Sequence, residues 1–224
     1  ATASYDATIH ILEVASRSLL TQLHHEAGVT ALAFSLDNHY LATASYDATV
    51  RLWDVTQKWA EASLPHEQGV SALAFSSDSR HIVTASYDGL LRVWSVSQRE
   101  AIWKTNVDNS VTALAVSRDG HYVATASYDP VVRLWDTGYP RTIAQLLHKG
   151  GVTTVAFSPN SRYLATAGWD RDARVWDVPR RTEIARMPHG SGVTALAFSS
   201  DSTLLATASY DRSAHVWEAA TGRQ

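Results

Sequence analysis

YLATASYDATVRLWDV, residues 40–55, reads as two short strands around a tight turn at Tyr46-Asp47-Ala48. Its central hexapeptide, ATASYD (42–47), also fills 1–6, 124–129 and 206–211, with VTASYD at 83–88 and ATAGWD at 165–170. The six closing aspartates, Asp6, Asp47, Asp88, Asp129, Asp170 and Asp211, are spaced by 41 residues every time. Six positions after each of the last five stands a tryptophan: Trp53, Trp94, Trp135, Trp176 and Trp217. The first copy has Leu12 there. Because no insertion or deletion disturbs the register, every repeat must build the same structural unit.

Working outward, VTALAFS (29–35) is a strand of small and β-branched residues followed by the turn cluster LDN. YLATAS (40–45) and TVRLWDV (49–55) follow, and the less regular WAEASL (59–64) leads to the next unit. We name these strands a, b, c and d. Four short strands in 41 residues predict one antiparallel sheet per repeat. The inner strands are small or apolar on both faces, which places each sheet between neighbours. Radial stacking of such sheets is a β-propeller, an all-β fold.

The tokens LWDV (52–55), VWSV (93–96), LWDT (134–137), VWDV (175–178) and VWEA (216–219) resemble those of WD40-repeat proteins. The a–b turns SPNSRYLATA (158–167) and SRDGHYVATA (117–126) resemble the Ser-Pro-Asp-Gly turn of that family. The resemblance covers essentially the whole chain. It implies a WD40-type propeller of four-stranded blades, with about 5.5 repeats over a single domain or propeller segment, 1–224. The repeat units are 1–28 (partial), 29–69, 70–110, 111–151, 152–192 and 193–224 (partial). The Gly-His dipeptide of the family survives only as His25, His66, His148 and His189, and Val107 stands at the fourth position.

The resemblance also implies a hydrogen-bonded brace of His, Ser, Asp and Trp in each blade. Carried over, the complete braces are His25, Ser45, Asp47 and Trp53; His66, Ser86, Asp88 and Trp94; and His189, Ser209, Asp211 and Trp217. Val107, Gly168 and Leu12 break the pattern in three other units, which are expected to be softer. Ser, His and Asp also suggest a hydrolase triad. That chemistry needs one exposed serine with an oxyanion hole, usually once per domain, whereas here the set recurs with a Trp closing each copy. The brace is the better reading, and no catalytic residue is expected.

Other compositions exclude further classes. A net charge of −3 leaves no footprint for nucleic acid or an anionic membrane. No apolar run reaches the roughly 18–20 residues of a membrane-spanning helix. The absence of cysteine removes disulfides, zinc–thiolate sites and thiol catalysis, and fits a cytoplasmic setting. His39, His81 and His121 fall in or beside different a–b turns, too far apart to share a metal ion, so no cofactor or metal is expected. Arg51, Arg92, Arg133 and Arg174 share one phase of strand c and read as solvated or inter-blade charges rather than a phosphate site.

The residue before each repeat aspartate is aromatic throughout: Tyr5, Tyr46, Tyr87, Tyr128, Trp169 and Tyr210. The WD40 resemblance implies that this turn opens on the face that takes partners. A collar of rings would anchor a peptide or a cationic side chain. Recent duplication, or packing on the next blade's loop, explains the same pattern. Loops on this face carry Glu26, Glu67 and Asp108 in early repeats, and Lys149, Arg171 and Arg212 in later ones. That asymmetry reads either as a docking polarity or as drift of solvated loops.

The chain starts at strand b and stops after strand c, which gives 22 strands. Open edges pair readily with other chains, so the expectation is a piece of a larger propeller or a homo-oligomer closed by strand exchange. The leading functional expectation is a non-enzymatic protein or peptide recognition scaffold within a larger multidomain signalling or sensor protein. The alternative is a self-assembling or engineered repeat protein without a natural ligand.

Overall fold

The computed structural model describes residues 1–55, 57, 60–107, 110–138 and 141–224. Twenty-two strands and no helix occur among the described residues. The first sheet has three strands, β1 (Thr2–Ala3), β2 (Thr8–Leu12) and β3 (Leu19–His24). Next come β4 (Val29–Phe34), β5 (Tyr40–Ser45), β6 (Thr49–Asp54) and β7 (Ala60–Pro65), then β8 (Val70–Phe75), β9 (His81–Ser86), β10 (Leu90–Ser95) and β11 (Ala101–Asn106). The fourth sheet is β12 (Val111–Val116), β13 (Tyr122–Ser127), β14 (Val131–Asp136) and β15 (Arg141–Leu147). The fifth is β16 (Val152–Phe157), β17 (Tyr163–Gly168), β18 (Asp172–Asp177) and β19 (Thr182–Pro188). The last has three strands, β20 (Val193–Phe198), β21 (Leu204–Ser209) and β22 (Ala214–Glu218). Every sheet is antiparallel in chain order, as the repeat predicts. The chain forms two compact units, residues 1–110 with the first three sheets and 111–224 with the last three.

The period-2 geometry of a strand explains the hexapeptide. Across β5 and β6, Leu41 pairs with Trp53 and Thr43 with Arg51. Leu41, Thr43 and Ser45 therefore share one face, and Ala42 and Ala44 take the other. On the first face Leu41 and Trp53 pack with Ile9, Ile11 and Leu23 of the preceding sheet. On the second, Ala42, Ala44, Val50 and Leu52 pack against Val70, Ile82 and Trp94 of the following one. The second unit repeats the arrangement. Ala124, Ala126, Val132 and Leu134 meet Val152, Leu164 and Trp176, and Ala165, Ala167, Ala173 and Val175 meet Val193, Leu205 and Trp217. A small alanine face receives a bulky Trp face at each of these junctions. Burying one such Trp removes on the order of 200 Å² from water, so the repeat is held mainly by this packing.

Polar links fix the spacing of the sheets. Strand a carries a β-bulge at Thr30, between the paired residues Val29 and Ala31, and the same shift recurs at Thr112 and Thr153. Each bulged threonine donates its hydroxyl to the next sheet: Thr30 to Val70 O at 2.6 Å, Thr112 to Val152 O at 3.0 Å, and Thr153 to Val193 O at 2.8 Å. At the opposite end, Asp119 N–H donates to Ser161 Oγ at 2.9 Å and Asn160 N–H to Ser202 Oγ at 3.1 Å.

In five of the six b–c turns the residue directly after the aspartate is left-handed, and the fourth has Pro130 there instead. Gly89 fills the position at no steric cost (φ 78°), whereas Ala7, Ala48, Arg171 and Arg212 adopt φ between 65° and 71°. For an L-residue that conformation costs roughly 1 kcal/mol.

Candidate functional site

At the loop end of each sheet the b–c turn meets the loop that precedes strand a. Tyr46 N–H donates to Gly28 O at 3.0 Å, and Glu26 N–H donates to Asp47 Oδ2 at 3.0 Å. Beneath this end lies the brace. Trp53 Nε1–H donates to Thr43 Oγ1 (2.9 Å), Thr43 Oγ1 contacts His25 Nε2 (2.7 Å), and His25 Nδ1 contacts Asp47 Oδ2 (2.7 Å). A neutral imidazole protonated on Nδ1 satisfies the whole relay, Trp to Thr to His to Asp. Thr43 is completely buried and His25 nearly so.

The linking hydroxyl is thus Thr43, and the sequence expectation of Ser45 is corrected. The indole lies beside Leu41 and reaches one position along its own face, to Thr43. Ser45 sits a further two residues on, about 6.6 Å, at the strand end. There it closes the turn, donating to Ala27 O (2.8 Å) and accepting from Asp47 N–H (3.0 Å). Thr84, Thr125, Thr166 and Thr207 hold Trp94, Trp135, Trp176 and Trp217 in the same way, at 2.8–2.9 Å. The threonine of A-T-A-S was therefore the signal to follow.

That correction reorders the repeats. The fifth unit, expected to be soft because of Gly168, has a complete relay: Trp176, Thr166, His148 and Asp170, with His148 2.7 Å from Thr166 and 2.9 Å from Asp170. His66 and His189 contact Thr84 and Thr207 at 2.8 Å, but their Nδ1 atoms turn to Leu64 O (3.1 Å) and Met187 O (3.0 Å) instead of Asp88 and Asp211. Asp88 is taken by Arg92, 2.8 Å away, and by Ser86 Oγ. Asp211 accepts from Gly190 N–H (2.8 Å), while Ser209 Oγ donates to Ser191 O (3.1 Å). In the fourth unit Val107 leaves the Thr125–Trp135 pair without a histidine, and Asp129 accepts from Ser127 and Arg133. In the first, Asp6 accepts from Thr8.

The arginine series is also more than surface charge. Arg92 and Arg174 are about 5% and 4% exposed. Arg174 reaches Asp170 Oδ2 and Leu147 O, both at 2.8 Å, and Arg51 reaches His24 O at 2.7 Å. Their constant offset of four residues from the repeat aspartate was legible, but its burial was not. Burial by itself would raise the carboxyl of Asp47. Hydrogen bonds from Thr49, Glu26 N–H and His25 outweigh it and bring the value down to about 2. Asp88 is likewise lowered to about 2, against burial, by Arg92, Ser86 and Leu90 N–H. Burial, reinforced by the charge of Arg92, pushes His66 down to about 4, and burial also lowers His189.

Thr43, His25 and Asp47 have the connectivity of a hydrolytic triad without its chemistry. The hydroxyl is sealed from solvent and accepts the Trp53 N–H, so no substrate carbonyl reaches it. Among the described residues no cluster of three His, Cys, Asp or Glu is arranged to hold a metal. Among the described residues no helix is long and apolar enough to cross a membrane.

The exposed chemistry lies in the aromatic series, whose rings are 41% (Tyr87) to 76% (Tyr5) exposed. In the first unit Tyr5, Tyr46 and Tyr87 form a ladder, with centroids 6.1 and 5.9 Å apart and planes inclined by 20° and 11°. In the second, Trp169 stacks on Tyr210 at 5.4 Å and 10°. Tyr128 makes no such stack among the described residues. Glycines make room for the rings. A Cβ on Gly192 would come 2.8 Å from the Trp169 ring, and one on Gly69 would come 3.1 Å from Tyr46 Cα. Glu26 and Glu67 flank the tyrosine ladder, and Lys149, Arg171 and Arg212 flank the Trp169–Tyr210 step, all exposed. Asp108 lies outside the described residues.

Antiparallel sheets repeated every 41 residues, five of them with a buried Trp bonded to a strand-b threonine, are the mark of a WD40-type β-propeller domain. The chain belongs to the IFT122 first β-propeller family, whose model matches residues 1–224. No curated protein matches the sequence. Propellers of this type act as protein-interaction scaffolds, are generally non-enzymatic and typically bind protein partners.

Proposed function

We propose that this chain is a non-enzymatic recognition scaffold that binds a protein or peptide at the end formed by its b–c turns and d–a loops. In this reading it serves a larger multidomain signalling or sensor protein in the cytoplasm. The observation that carries the reading is the ordered display of Tyr5, Tyr46, Tyr87, Trp169 and Tyr210 as stacked, exposed rings. Stacking pre-orders these side chains, so a partner loses little additional rotamer freedom on docking. The brace residues lie beneath and set the height of the turns. Self-association through open strand edges is a separate part of the reading, which light scattering on the purified chain reads directly.

A displayed library of random dodecapeptides, selected on the whole chain, tests the site. Enriched peptides should bind at least about tenfold more weakly to Tyr46→Ala/Tyr87→Ala or Trp169→Ala/Tyr210→Ala. They should be indifferent to Arg80→Ala and Arg162→Ala in the a–b turns at the other end of the strands. Enrichment that tracks the a–b turns, or no enrichment at all, rejects the reading.

A further inference from the structure

The charge of the chain divides with its two units. Residues 1–110 hold seven Lys and Arg against twelve Asp and Glu, a net −5, while residues 111–224 hold twelve against ten, a net +2. In the second unit, free cations gather at the aromatic end. Lys149 N–H donates to Asp170 Oδ2 at 3.1 Å, which places this lysine beside the Trp169 turn. Arg171 and Arg212 follow Trp169-Asp170 and Tyr210-Asp211 directly in sequence.

The carboxylates nearby are already engaged. Asp170 is held by His148 and Arg174, Asp172 by Arg174, and Asp211 by Gly190 N–H and Ser213. No ion pair among the described residues uses the side chains of Lys149, Arg171 or Arg212. Both arginines also occupy left-handed backbone (φ 69° and 71°), where the first unit places Ala7, Ala48 and Gly89.

We propose that this end of the second unit docks an acidic peptide segment, an inference that rests on the recognition reading above and names its partner's chemistry. An apolar or aromatic side chain of the peptide lies on the Trp169–Tyr210 step. Flanking carboxylates pair with the guanidinium groups of Arg171 and Arg212 and with the Lys149 ammonium. Basic groups beside stacked rings also suit single-stranded nucleic acid. The second unit has a net charge of only +2 and shows three cations around one stacked pair, which suits a short acidic segment rather than the long basic groove that tracks a nucleic-acid backbone.

The test titrates the whole chain against the fluorescein-labelled octapeptide Glu-Glu-Leu-Glu-Glu-Phe-Glu-Glu, read by anisotropy. Its Gln-for-Glu analogue and an eight-nucleotide thymidine oligomer serve as competitors. The acidic peptide should bind at least about tenfold more tightly than the Gln analogue, with affinity falling as salt rises. Arg171→Glu/Arg212→Glu should abolish binding, and Arg80→Ala, in an a–b turn of the first unit, should leave it unchanged. Arg171→Gly/Arg212→Gly relieves the strained turns and keeps the fold, yet should also lose the peptide. Equal affinity for the Gln analogue, preference for the oligomer, or indifference to both arginine pairs overturns the proposal. Library-selected peptides that depend on the rings but show no acidic preference would overturn it too, while leaving the recognition reading intact.

Discussion

At the scale of the residue, one hydroxyl decides whether a Trp can be buried with its N–H satisfied. Thr166 accepts from Trp176 and contacts His148, so Thr166→Val leaves two buried polar groups unpaired and should cost about 2–4 kcal/mol in urea unfolding. Ser45→Ala removes only turn-closing bonds and should cost about 1 kcal/mol. Equal costs would return the linking role to the serine. Restoring the family serine at position 168 should not help. A Cβ there meets the Gly151 carbonyl oxygen and comes 2.7 Å from Val152 Cα, so Gly168→Ser should destabilise by about 1–3 kcal/mol. The buried Arg174–Asp170 pair gives a further check. Arg174→Ala removes the paired charge from Asp170, which keeps His148 and the Lys149 N–H, and should cost about 1.5–3 kcal/mol. A cost under about 0.5 kcal/mol would mark the arginine as ordinary surface charge.

At the scale of the element, the b–c hairpin combines three demands on seven residues. Strand b must offer alanine to one neighbour and threonine to the other. The aspartate must receive N–H groups across the turn. In every turn but the one at Pro130, the residue after it must accept a left-handed backbone. Ala48 satisfies this last demand poorly, so Ala48→Gly should raise stability by up to about 1 kcal/mol. Differential scanning calorimetry would show this as a higher midpoint, and a lower one would contradict the assigned turn. The adjoining loop is constrained in the opposite sense. Gly192 lies against the Trp169 ring, so Gly192→Ala should displace the indole and shift its fluorescence.

At the scale of the whole molecule, the braces make stability depend on pH in two separate windows. The folded-state value of His66, about 4, lies below its ordinary 6.5. The unfolded chain therefore binds the proton first. Stability is undiminished above pH 6.5, falls as pH drops from 6.5 to 4, and changes no further below that on account of this group. The loss is on the order of 3 kcal/mol, and His189 acts in the same direction. Asp47 and Asp88, lowered to about 2, contribute stability above pH 4 that disappears as pH falls toward 2. Urea midpoints at pH 7.5, 5.5 and 4 would resolve the first window. A flat profile there would mean that His66 is accessible to protons in the folded state.

The sequence by itself determined the repeat of 41, the 22 strands with partial first and last sheets, the antiparallel order and the aromatic series. All of these follow from local periodicity, and the unbroken spacing multiplied each signal by six. The burial of the Trp residues was legible for the same reason. Tertiary structure alone decided which hydroxyl each indole meets, because Thr43 and Ser45 lie on the same face and only the reach of the ring separates them. It decided which histidines keep an aspartate: His25 and His148 turn Nδ1 toward Asp47 and Asp170, whereas His66 and His189 turn it to the carbonyls of Leu64 and Met187. It also decided that the rings stack within each unit, since side chains 41 residues apart meet only when two sheets pack face to face across the small alanines between them.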